Sequence, residues 1–163
     1  MEINPLELKL LTQGFIAAIC FTEGATDLDE GSKIIADDVC ENFYRSYFWV
    51  LKSYADYQEW DSMGHDFWLT SQGHGAGFWD RGKHGRLEKQ LTDISQTYHF
   101  EVYKDTEEEF GGTATIEWYQ TKEDFNIKLY GSAAKQLATY SAVDRDKHVQ
   151  AALNAYFTLT KGI

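Results

Sequence analysis

The chain has 163 residues, a formal net charge of −11 and an aromatic share of 15%. The length lies near the modal domain size of ~100–150 residues, so a single domain over 1–163 is expected. The aromatic content excludes a disordered acidic tail, and 26 acidic against 15 basic residues exclude a general nucleic-acid binder, which needs a positive footprint.

In chain order, Asn4-Pro5-Leu6-Glu7 has the form of a helix start: Asn4 as cap, Pro5 at the first helical position, Glu7 closing a capping box. Leu8, Leu11, Phe15 and Ile19 continue at helical spacing to Glu23-Gly24. After a turn with Asp27, Asp29 and Gly31, a second helix is expected from about Lys33 to about Gln58. Its core stripe is Ile35, Val39, Phe43, Tyr47, Val50, Leu51 and Tyr54. From Met63 the period shortens. DFWLT (66–70) and AGFWD (76–80), separated by SQGHG, form the pattern of a β-hairpin with a glycine-bearing loop. A short helix is expected over 86–95, then strands at 98–104, 113–120 and 124–130. A C-terminal helical part over 132–161 follows, with Asp144 as a cap. The expected fold class is therefore α+β: two N-terminal helices (1–60), an antiparallel meander of about five strands (64–130), and the C-terminal helix.

No basic stretch precedes an apolar one at the N-terminus, so no secretory signal is expected. Apolar runs such as FIAAICF (15–21) fall short of the ~18 residues that span a bilayer. Cys20 and Cys40 lie in apolar helical patterns and are expected as buried thiols in a reducing compartment.

Residues 64–85, GHDFWLTSQGHGAGFWDRGKHG, hold six of the thirteen glycines, three of the five histidines and two of the five tryptophans. Gly73, Gly75 and Gly77 point to positive φ or to close approach by another group. On a hairpin, Trp68 or Trp79 would stack on a ligand, the loop around His74 would supply backbone donors, and Asp80 and Arg81 would set polarity. A planar anionic molecule such as a nucleotide fits that chemistry. The plain alternative is a tight hairpin with both tryptophans in the core and Asp66 paired with Arg81 across the strands. His65, Asp66, His74 and Asp80, with His84 nearby, also raise a metal-dependent hydrolase as an alternative, although their spacing fits no recognised ligand motif.

The string GHDFWLT, two variable residues, then GHGAGFWDRG resembles the signature of a family of small bacteriophage-encoded proteins. Segments resembling Leu10–Glu23 and Ala36–Tyr54 precede the motif in that family, so the resemblance covers roughly the first 105 residues. This chain carries Ser71-Gln72 where the family usually shows Arg-Asn, and the part after about Glu109 has no counterpart. The resemblance implies a viral accessory protein in the cytoplasm of an infected bacterial host, and it supplies no reaction.

Two acidic groups stand out: Asp27, Asp29, Glu30, Asp37, Asp38 and Glu41, and Asp105 with Glu107, Glu108 and Glu109. Solvated helix ends and a solvated turn account for them; the sharper alternative is an acidic DNA mimic that blocks a host nuclease. The expected function is non-catalytic: the chain binds and inhibits a host factor, antiviral defence foremost. The binding residues expected are His65, Asp66, Trp68, Gly73, His74, Gly75, Gly77, Trp79, Asp80 and Arg81. The partner is a host protein or a small nucleotide, with no cofactor, no direct nucleic-acid contact and no membrane. A homodimer is compatible with the sequence, and nothing specifies one.

Overall fold

The computed structural model describes residues 3–121. Five α-helices and three strands occur among them: α1 (Pro5–Glu23), β1 (Asp27–Leu28), α2 (Glu30–Ser46), α3 (Phe48–Tyr54), α4 (Trp60–Ser71), α5 (Gly85–Ser95), β2 (Tyr98–Lys104) and β3 (Thr113–Gln120). A single 3₁₀ turn, Phe78–Asp80, lies between α4 and α5. The expected strand at 124–130 and the helical part over 132–161 with its Asp144 cap lie outside the described residues.

Helix α1 begins where its cap dictates. Asn4 Oδ1 accepts the amides of Leu6 (3.0 Å) and Glu7 (3.3 Å), with Pro5 in the first turn. Glu7 does not close a capping box; its carboxylate accepts from the Tyr44 hydroxyl at 2.9 Å and pairs with Lys52. With 19 residues and mean hydropathy of 1.2, α1 is long and apolar enough to cross a membrane, and a buried core helix meets the same criterion. Leu11, Phe15, Ala18 and Ile19 are fully buried in the fold.

The second expected helix is divided at Tyr47, whose φ of −125° leaves the helical region. Both halves keep burying the same stripe: Phe43, Tyr47, Val50, Leu51 and Tyr54 all lie in the core. The apolar spacing runs through the bend, so the sequence period does not reveal it.

The five-strand meander is corrected. Among the described residues the sheet has three strands in the order β1-β3-β2, and it is mixed. Strands β2 and β3 pair antiparallel from Tyr98↔Gln120 to Lys104↔Ala114. The two-residue β1, which the sequence suggested as a turn, pairs parallel with β3 through Asp27↔Thr113 and Leu28↔Ala114. No strand occurs at 66–70 or 76–80. The first is the body of α4, and the second is the 3₁₀ turn.

The reason lies upstream of the motif. Trp60, Met63, Gly64, Phe67 and Trp68 fall at steps of three and four and are all buried, so the helical period starts before the aromatic run. Gly64 then permits close crossing of α1. A Cβ there would stand 1.9 Å from Leu11 O, and a Cβ at Gly14 would stand 1.8 Å from Asp61 O. The two glycines let the helix backbones touch. Around the crossing, Phe67 stacks on Phe43 (3.9 Å, 5°) and on Phe15 (5.3 Å) and meets Tyr98 edge-on (4.9 Å). Such pairs add about 0.5–1.5 kcal/mol each beyond area burial. Sheet residues Tyr98, Ala114 and Ile116 complete this core.

Candidate binding site

The structure divides the 64–85 segment by burial. Gly64, Asp66, Phe67, Trp68, Thr70, Gly77 and Phe78 are inside; Gly73, His74, Gly75, Trp79, Asp80, Arg81 and Gly82 are outside. Trp68 is fully buried, and its indole N–H donates to Thr22 Oγ1 at 2.9 Å, so it is scaffold and no stacking platform. Trp79, by contrast, is 53% exposed. Of the three loop glycines, Gly73 alone lies in the left-handed region (φ 67°). Gly77 answers a close approach, since a Cβ there would lie 2.3 Å from Thr70 Oγ1, while Gly75 is under neither constraint. The loop is pinned at two points: His74 N–H donates to Leu69 O (3.0 Å), and Phe78 N–H donates to Thr70 Oγ1 (3.1 Å).

Beneath this loop a buried carboxylate organises a polar cluster. Asp66 is 1% exposed. Its Oδ2 accepts from Arg81 Nε (2.9 Å) and Gln58 Nε2 (2.7 Å), and its Oδ1 accepts from Arg81 Nη2. The fork geometry is the bidentate pairing that guanidinium favours. It joins a helix to a loop rather than two strands, and the hydrogen bonds to Asp66 push the Arg81 basicity up. Arg81 keeps about a third of its side chain in solvent (35%).

The other wall is set by α5. His84 Nδ1 accepts the Leu87 amide (3.2 Å) and caps the helix, and its ring packs on Tyr57 at 5.3 Å. Glu88, only 3% exposed, accepts from the Tyr54 hydroxyl (2.7 Å) and the Lys83 amide (2.9 Å). Burial raises its pKa, and the hydrogen bonds from Tyr54 and from the backbone of Lys83, His84 and Gly82 together bring it below the ordinary carboxylate value. Burial first, then the Glu88 carboxylate, pushes the Tyr54 phenol up. The Lys83 ammonium donates to Tyr57 O at 3.1 Å on the surface.

Gln58, Ser62, His65, Asp66, Arg81 and Lys83 thereby line a surface pocket of about 200 Å³. Ser62, His65 and Asp66 share one face of α4 at steps of three and four, while Arg81 and Lys83 arrive from the loop. Gln58, Ser62 and Lys83 lie outside the residues that the sequence pattern singles out. The run RGKHGR (81–86) held the signal for Lys83, because its cations stand together in a chain of net charge −11. A larger groove of about 470 Å³ lies elsewhere, between α1 and α2, lined by Ile3, Leu8 and Ile16 with Asp37 and Glu41 at its edge.

His65, Asp66, His74 and Asp80 are not brought together. His65 and Asp66 line the pocket, whereas the Asp80 carboxylate accepts the Gly77 amide at 3.0 Å and His74 follows the end of α4. Among the described residues no three His, Cys, Asp or Glu side chains gather as a metal site. The acidic groups are partly spent on structure. Asp29 caps α2 through the Ser32 amide (2.8 Å), Asp27 pairs with Lys33 (2.9 Å), and Asp105 accepts from the Thr113 amide (2.8 Å).

No protein-family model matches the chain, and neither a curated protein nor a solved structure is significantly similar to it.

Proposed function

We propose that the protein is a non-catalytic binding protein whose recognition element is the exposed loop 72–84 together with the pocket at its base. The observation that carries this reading is the division of the motif. Its buried half builds the α1–α4 crossing, and its exposed half presents His74, Trp79 and Arg81 on a pinned loop. Exposed aromatic and arginine side chains on a rigid support are the residue types that dominate binding energy at interfaces. The pocket offers donors and cations, side-chain types that recognise a small ligand.

The bacteriophage resemblance of the motif directs the reading toward a host process in the bacterial cytoplasm, antiviral defence foremost, with a host protein or a nucleotide as the target. The test is affinity capture from bacterial cells expressing the tagged full chain, followed by mass spectrometry of bound proteins and small molecules. Wild type is compared with the His74→Ala/Trp79→Ala double variant. One host component retained by wild type and lost by the folded variant supports the reading. Identical capture by both overturns it.

A further inference from the structure

We propose that the pocket lined by Ser62, His65, Arg81 and Lys83 binds a phosphate group, free or as a monoester. The inference deepens the binding reading above and rests on it.

The first ground is charge. The chain is strongly acidic overall, yet this pocket collects Arg81 and Lys83 against the single carboxylate of Asp66. Asp66 does not confront a bound anion. It is 1% exposed, and Arg81 Nε, Arg81 Nη2 and Gln58 Nε2 occupy its oxygens. An anion entering the pocket therefore meets donors. Arg81 uses two of its five N–H groups on Asp66, which fixes the plane of the guanidinium and leaves its remaining N–H groups for a ligand.

The second ground is the arrangement of donors. Lys83 keeps only the Tyr57 carbonyl as a partner among the described residues, on the surface, where its ammonium retains two further hydrogens. The His65 ring makes no hydrogen bond or ion pair among the described residues. It stands on the same face of α4 as the Ser62 hydroxyl. Two cationic side chains from the loop and a hydroxyl and an imidazole from the helix thus address one small volume from two sides. A planar carboxylate offers two oxygens to such a set. A phosphate offers three or four in a tetrahedral array, so it engages groups from both walls together. The pocket, at about 200 Å³, is open to solvent, and an ester substituent has a way out past its mouth.

The support beneath the cations is rigid. Arg81 is held by a buried carboxylate, and the Lys83 amide is tied to Glu88, itself buried and bonded to Tyr54. Fixed donors lose little freedom on binding, which is the condition for a small anion to be held at all.

The test uses the full chain and three probes at constant ionic strength: sodium phosphate, methyl phosphate and sodium acetate. Side-chain NMR follows the His65 ring nitrogens and the Arg81 Nε–H, and a thermal melt confirms that each variant is folded. The expected result is a saturable shift of both signals with phosphate, and no saturable shift with acetate. Lys83→Ala should weaken phosphate binding by about tenfold or more, because it removes one charge-assisted bond. Saturation by methyl phosphate as well assigns the site to monoesters; saturation by inorganic phosphate alone assigns it to the free anion. Either result supports the shared chemistry. Absence of saturation, an equal response to acetate, or undiminished binding by Lys83→Ala overturns it. Loss of phosphate binding while host capture still depends on His74 and Trp79 removes the ligand class alone; capture indifferent to those residues removes the wider reading.

Discussion

Gly64→Ala isolates the contact on which the motif's buried half depends. The added Cβ would stand 1.9 Å from Leu11 O and 2.9 Å from Phe15 N, where ordinary contact begins at 3.4 Å. Helices α1 and α4 would have to separate by about 1.5 Å, the difference between 3.4 and 1.9 Å, to admit the methyl group. Both neighbours are backbone atoms, so no rotamer change relieves the clash. Overpacking of this kind costs about 1–3 kcal/mol and more where the surroundings cannot yield. Alanine regains up to about 1 kcal/mol of helix propensity over glycine, which does not cancel the clash. The net expectation is a loss of about 2 kcal/mol, or a fall in Tm of about 4–8 °C for a chain of this size. Urea and thermal melts of Gly64→Ala measure it beside Gly75→Ala, whose Cβ would meet nothing within 4 Å. Stability of Gly64→Ala within about 0.5 kcal/mol of wild type would refute the close crossing.

Arg81→Ala should cost more than Asp66→Ala in denaturant melts, about 3–5 against about 2 kcal/mol, because the first strands a buried carboxylate and the second leaves an arginine that can turn to water. Trp68→Ala should lose about 3–5 kcal/mol and Trp79→Ala less than about 0.5, since one ring fills the core and the other is solvated; equal losses would contradict the division of the motif. Glu88 has its folded-state pKa held down, so its contribution is present above the unfolded value of about 4.5 and is lost as pH falls through the lowered folded value. Glu88→Gln should therefore be less stable than wild type at neutral pH, with the gap closing in melts taken at progressively lower pH.

What the sequence revealed depended on whether a local pattern had one reading. The alternating runs YHFEVYK and TATIEWYQ became β2 and β3 at the expected residues, and the cap at Asn4 started α1. DFWLT failed because five residues are too few to separate period 2 from period 3.6 when every one is apolar or buried. Extending the window back to Trp60 restores the helical spacing, and Gly64, which weakens a helix by propensity, is required by α1. That requirement is tertiary and leaves no local trace. Within the site, Asp66 and Arg81 were legible as opposite charges in one unusual segment. Gln58 was not, because it joins them only through the turn between α3 and α4.

The central claim is that loop 72–84 recognises and the α1–α4 crossing supports. Hydrogen–deuterium exchange of the full chain, alone and with its captured partner, tests it most directly. The account predicts new protection confined to amides of residues 72–84 and the adjoining face of α4. Protection elsewhere, with that loop exchanging as in the free protein, would contradict it.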